Sequence, residues 1–152
     1  MVHQFKIPDG EQAALYGNAE DLGFHRFTVA GEFLIFPATG CAIHPLVVSM
    51  MPGEVTGWHQ HHCPVFCYVL EGEITVTYQG GQRRLFRQGE CMVEAMRVTH
   101  QGENTGQSLT RILTVFLNGD GLPEKAAMPE PAERHTPNRL DRRDGSGASI
   151  LP

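Results

Sequence analysis

No stretch of this 152-residue sequence approaches the roughly 20 consecutive apolar residues that a membrane-crossing helix requires. Met1 to Gly10 holds no apolar run of signal-peptide length. The four cysteines, Cys41, Cys63, Cys67 and Cys91, include no CxxC pair. Together these absences lead us to expect a cytoplasmic protein with reduced thiols. Positive charge is also in short supply. The formal net charge is −5, which gives no long-range attraction to nucleic acid or to an anionic membrane. A late basic cluster at Arg134, Arg139, Arg142 and Arg143 is interleaved with Glu133, Asp141 and Asp144, and reads as a solvated or partner-facing segment. Phosphate-cradling loops, nucleophile elbows and dinucleotide fingerprints are all missing. No internal repeat or low-complexity tract is present.

Enough apolar residues remain, at 41%, to build the core of one domain. Residues 1–22 read as a lead-in. Asp9 followed by Gln12 resembles a helix-capping signal, and Gly17 could end a short helix over residues 10–16. Residues 23–117 read as strands. The β-prone runs are 24–29, 33–36, 41–50, 65–70, 74–78, 84–86, 92–95 and 109–117. Tight turns at Pro52-Gly53, Glu71-Gly72 and Gly80-Gly81 separate several of them. Many short strands between such turns predict an all-β sandwich or barrel, which also protects the sheet edges. Residues 118–152 are rich in proline and charge and read as a linker-like C-terminal tail.

Chemistry concentrates in two places. In Trp58-His59-Gln60-His61 the histidines alternate, so on a strand His59 and His61 share a face about 7 Å apart by rise. Two imidazoles so placed can grip one metal ion, with the third ligand coming from another strand. His100 is the best candidate. His62 has the wrong parity and reads as a loop residue. Cys63 and Cys67 have the right parity, and each is either a small core residue or a thiolate ligand. Trp58, Phe66 and Tyr68 read as barrel packing, as a dimer surface or as walls of a pocket. Glu94 lies six residues before His100, so it shares its strand parity. It points inward, with the ligand histidines as partners, or a bulge turns it to solvent. Pointing inward, it would be a fourth ligand, a hydrogen-bond partner of a histidine, or a base.

These residues carry a resemblance to the cupin superfamily. Gly53, His59, His61 and Gly72 fall in register with its first motif, G-x5-H-x-H-x3-4-E-x6-G. Gly89, His100 and Asn104 fall in register with its second, G-x5-P-x-G-x2-H-x3-N. Sixteen residues separate Gly72 from Gly89, as suits compact microbial members. Three positions depart from the pattern. The family glutamate falls at Val65, which cannot ligate, the family proline at Ala95, and the second-motif glycine at Arg97. The resemblance covers residues 40–117 and implies a jelly-roll barrel with a metal inside its open end, commonly in a homodimer. Near that mouth Arg97 reads as a solvated arginine or as one that binds a substrate carboxylate. The implied cofactor is one divalent transition metal: Fe, Ni, Mn, Cu or Zn. Three neutral imidazoles leave its charge uncompensated, so the expected partner is a small, anionic ligand.

The implied reaction class is that of three-histidine iron dioxygenases, acting on a small organic acid or dicarbonyl. Metal-assisted isomerase or lyase chemistry follows behind it. A non-catalytic metal- or ligand-binding module is the alternative, and a barrel with a vestigial site is the third reading.

Overall fold

Alternation along the strands decides which side chains enter the barrel. In Val65–Glu71, Val65, Cys67 and Val69 are buried, while Phe66 and Tyr68 between them are half-buried. In Thr110–Asn118, Thr110, Ile112, Thr114 and Phe116 turn inward in the same way. The computed structural model describes residues 20, 22–23, 25–119 and 123–132. They form β1 (Ala42–Met50), β2 (His59–His61), β3 (Val65–Glu71), β4 (Glu73–Tyr78), β5 (Arg83–Arg87), β6 (Cys91–Val93), β7 (His100–Glu103), β8 (Thr110–Asn118) and β9 (Lys125–Ala127).

The strands make two antiparallel sheets. One has the order β1-β8-β3-β6 and the other β5-β4-β7-β2-β9. Between them lies one core, with Met50, Val65, Cys67, Val69, Met92, Ile112 and Phe116 from the first sheet and Ile74 and Val76 from the second. The expected all-β architecture is therefore present. No helix occurs among the described residues, and none there is long and apolar enough to cross a membrane. The helix expected over residues 10–16 lies outside them.

Two of the motif positions have clear structural reasons. Gly72 turns β3 into β4 at a φ of +74°, and a Cβ there would fall 2.5 Å from Thr110 Oγ1. Only glycine fits both demands. Asn104 is wholly buried after β7. Its amide donates to the carbonyls of Met50 and Ser108, both at 2.8 Å, and its Oδ1 accepts from Gly106 N. The backbone N–H of Gly53 donates to the carbonyl of Asn104, so landmarks of the two motifs meet there.

Three strand expectations need correction. The runs at 24–29 and 33–36 give a single bridge, Phe27↔Phe33, rather than strands. Between them the chain reverses at Gly31, and the Thr28 hydroxyl accepts from the N–H groups of Ala30 and Glu32. A side-chain acceptor thus takes over backbone donors that a ladder would have used. The run at 92–95 ends as a strand at Val93, although Glu94 keeps one further ladder bond, to the Val65 carbonyl. Within the stretch read as a tail, Lys125–Ala127 pair with β2 as an edge strand. Three residues between Pro123 and Pro129 are too few to show a period.

Candidate metal centre

β2 and β7 are neighbours, and His59 sits directly opposite His100 in their register. Residues so paired point to the same face. One row across the five-stranded sheet therefore reads Tyr78, His100, His59, Ala127, and His61 stands two residues along from His59 on the same face. The rings lean together, with centroids 4.5 Å apart for His59–His100, 4.8 Å for His59–His61 and 5.2 Å for His61–His100. That is tighter than strand rise alone suggests.

Glu94 completes the group. The β3–β6 register pairs Phe66 with Val93, and one step further the Glu94 N–H donates to the Val65 carbonyl at 2.9 Å. Glu94 thus lies across the sheet from Val65, where the cupin pattern places its glutamate. The carboxylate has moved one strand sideways and still enters the barrel. His61 Nε2 lies 2.6 Å from Glu94 Oε2, and His100 Nε2 is 3.8 Å from the same oxygen. One ligand atom from each of His59, His61, Glu94 and His100 lies within 4.8 Å of every other.

The other ring nitrogens are held from outside. His59 Nδ1 donates to the Gly57 carbonyl and His100 Nδ1 to the Val98 carbonyl, each at 2.9 Å. Both acceptors lie two residues before the histidine. His61 Nδ1 faces the Glu124 carbonyl at 3.3 Å. A carbonyl only accepts, so it fixes the proton on Nδ1 and turns the Nε2 lone pair inward. His100 Nε2 is buried with no hydrogen-bond partner within reach. An orphaned buried nitrogen aimed at two imidazoles and a carboxylate is what a missing cation leaves behind. Three imidazoles and one carboxylate fit a divalent first-row transition metal.

Electrostatics agree. Burial alone would raise the Glu94 carboxyl, but the imidazoles of His100 and His61 beside it hold it well below the usual carboxylate range. Burial would lower His100, yet the Glu94 carboxylate outweighs it and pushes the imidazole up. His59 is pulled down to about 4, first by burial and then by repulsion from His100 and His61.

The loop from Glu94 to Thr99 carries the second motif's departures at Ala95 and Arg97. Glu32 holds it, because its carboxylate accepts from the N–H groups of Met96 at 2.7 Å and Arg97 at 2.8 Å. A proline at position 95 would restrict the backbone. Here an anion gripping two amides supplies restraint by another route.

The group opens into a cavity of about 610 Å³. Its apolar wall is Leu46, Val48, Met50, Ile74, Ile112 and Phe116, and Trp58 also lines it. Arg97 is not brought there. Its exposed side chain borders a separate pocket of about 230 Å³ with Ile35, Phe36, Pro37, Met96 and the back of His61. His62 is exposed, as a loop residue should be. Cys67 is a core residue whose thiol burial pushes up, and no cysteine joins the metal-ligating group among the described residues. All four cysteines are free thiols. Sequence reasoning missed Lys125, which lines the cavity from β9, and the Glu124 carbonyl that orients His61.

A double-sheet barrel with inward histidines on adjacent strands defines a class of small metal-binding β-barrels. Residues 46–116 match the family model described as a cupin domain, and over that stretch the chain is a cupin. Among solved structures, it is similar to the formate complex of Lactobacillus farciminis oxalate decarboxylase. The identity is 21% and the TM-score 0.50, over 57% of this chain and 26% of that one. It is similar also to the DMSP lyase DddQ of Ruegeria pomeroyi, at 21% identity and TM-score 0.49, over 57% of this chain and 43% of that one. The chain thus spans less than half the length of either, and at this identity the likeness speaks for the fold. No curated protein matches the chain.

Proposed function

We propose that the barrel binds one divalent transition metal through His59, His61, His100 and Glu94 and is a metal-dependent enzyme acting on a small organic acid or dicarbonyl. One observation carries this reading: the convergence of these four ligand atoms at the wall of a mostly apolar cavity. Pockets of this kind, with few polar groups on a mostly apolar lining, are where small ligands bind. A bound metal would supply a Lewis acid with open positions and, if iron, a redox centre. The chain's own residues do the rest. Gly57, Val98 and Glu124 orient the imidazoles, and Glu94 offsets part of the metal's charge. The apolar wall excludes water and packs the body of the substrate. The remaining positive charge favours an anionic donor such as a carboxylate or enolate.

We favour dioxygenation, with redox-neutral lyase or isomerase chemistry as the competing reaction type. The test is oxygen consumption by the Fe(II)-loaded chain across a panel of small carboxylic acids and 1,3-dicarbonyls, with His59→Ala as control. Substrate-dependent uptake that His59→Ala abolishes supports dioxygenation. Turnover without uptake moves the reading to lyase or isomerase chemistry. A non-catalytic ligand-binding module is favoured if a ligand binds and is recovered unchanged.

A homodimer is the assembly we infer. Support comes from β1, an edge strand whose outward Ile43 and Val47 are 71% and 46% exposed. Unpaired apolar edges of this kind invite covering. Sedimentation velocity at micromolar concentration is the check.

A further inference from the structure

The cavity lining holds one lysine or arginine among the described residues, Lys125 of β9. Its position is set by register. His59 pairs with Ala127 and His61 with Lys125, so Lys125 and Ala127 share the inward face of the ligand histidines. Ala127 leaves room beside His59, while Lys125, exposed at the edge of the cavity, sets its flexible side chain on the strand position opposite His61. The strand is fastened on both sides. On the β2 side, the Met128 N–H donates to the Trp58 carbonyl at 2.9 Å. On the far side, the Glu124 carboxylate meets His44 Nδ1 of β1 at 2.7 Å, which links the edges of the two sheets. That same contact engages the carboxylate next to Lys125 in sequence. The wall on the facing sheet is mostly apolar: Leu46, Val48 and Ile112, with Phe116 packed edge-on against His61.

We propose that Lys125 is the specificity-determining residue of this site, and that it selects a small carboxylic acid with an apolar tail. The carboxylate lies beside the histidine group within reach of the ammonium, and the tail runs along β1 and β8. This rests on the reading of the cavity as a substrate site and names the substrate class within it. Arg97, in its separate pocket, takes no part.

Trp58 is the only tryptophan of the chain and lines the cavity, so its fluorescence reports occupancy. The full-length chain, stripped of metal and also loaded with Zn(II), would be titrated with hexanoate and with hexanamide. The amide keeps the tail and loses the charge. Wild type should bind hexanoate at least about tenfold more tightly than hexanamide in both forms, as one charge-assisted contact allows. Lys125→Met should erase most of that ratio and leave hexanamide binding and Zn(II) content unchanged, while Lys125→Arg should keep the ratio. A ratio near one in wild type, no saturable response to hexanoate, or an unchanged ratio in Lys125→Met would overturn the proposal. The metal-stripped arm separates the two claims. Were the chain to hold no metal, the carboxylate preference would still be read there, and loss of that preference leaves metal binding untouched.

Discussion

The two sheets of this barrel divide its work. The four-stranded sheet turns Leu46, Val48, Met50, Cys67, Ile112 and Phe116 inward, and most of the core belongs to it. The five-stranded sheet turns His59, His61, His100 and Lys125 inward. One group crosses the division. Glu94 follows the edge strand β6 of the apolar sheet and reaches over to His61 and His100. An ionised carboxylate among apolar side chains is costly unless it is paired, and the facing sheet supplies the partners. Stability and chemistry can therefore be disturbed one at a time, except at Glu94, where the two meet.

The largest separation is expected for His100→Ala. Stoichiometric metal should be lost, to below about a tenth of an equivalent by elemental analysis, with the circular dichroism spectrum of the folded barrel retained. Exchange across the β3–β6 pair should come next. Glu94→Val should weaken metal binding by about 100-fold or more, and adding Val65→Glu should recover much of it. Recovery would show that the carboxylate serves from either strand, and competition with a chelator reads it. On the apolar side, Met92→Ala should cost about 2–5 kcal/mol in denaturant unfolding and leave metal stoichiometry unchanged, because Met92 is buried in the core and supplies no ligand atom.

The smallest effect is a pH dependence of the metal-free chain. His59 is held at about 4 in the folded state, against about 6.5 when unfolded. Between these values the unfolded state binds the extra proton, so stability should fall as pH drops from about 6.5 to about 4. His100 is shifted the other way. Its contribution is complete below the unfolded value and is lost only as pH rises through its raised pKa, so it leaves this window to His59. His59→Phe should flatten the slope there in urea titrations.

The difference between the sheets also decides what the sequence could reveal. His59, His61 and His100 were legible because strand alternation puts two of them on one face and a recurrent spacing points to the third. Asn104 and Gly72 were legible from the same recurrent spacing, although their contacts reach Met50 and Thr110, distant in sequence. Glu94 stayed ambiguous because its direction depends on pairing with Val65, a residue distant in sequence. Strand parity with His100 pointed it inward, where it is found, although residues 94–99 lie outside the strands between β6 and β7. Lys125 left no signal at all. Its strand is three residues long, and only the register with β2 turns it inward. Residues 24–36 misled in the opposite sense: apolar and aromatic composition suggested strands, but the Thr28 hydroxyl and the Gly31 turn took the backbone elsewhere.

The central claim is that one metal ion sits among three imidazoles and Glu94. Titration of Co(II) into the anaerobic, metal-stripped chain tests it most directly, because the visible bands of cobalt report its ligands. The account predicts saturation at one equivalent, with a spectrum that changes in Glu94→Gln and vanishes in His59→Ala. Absence of a saturable spectrum in the wild-type chain, or one that His59→Ala leaves intact, would contradict it.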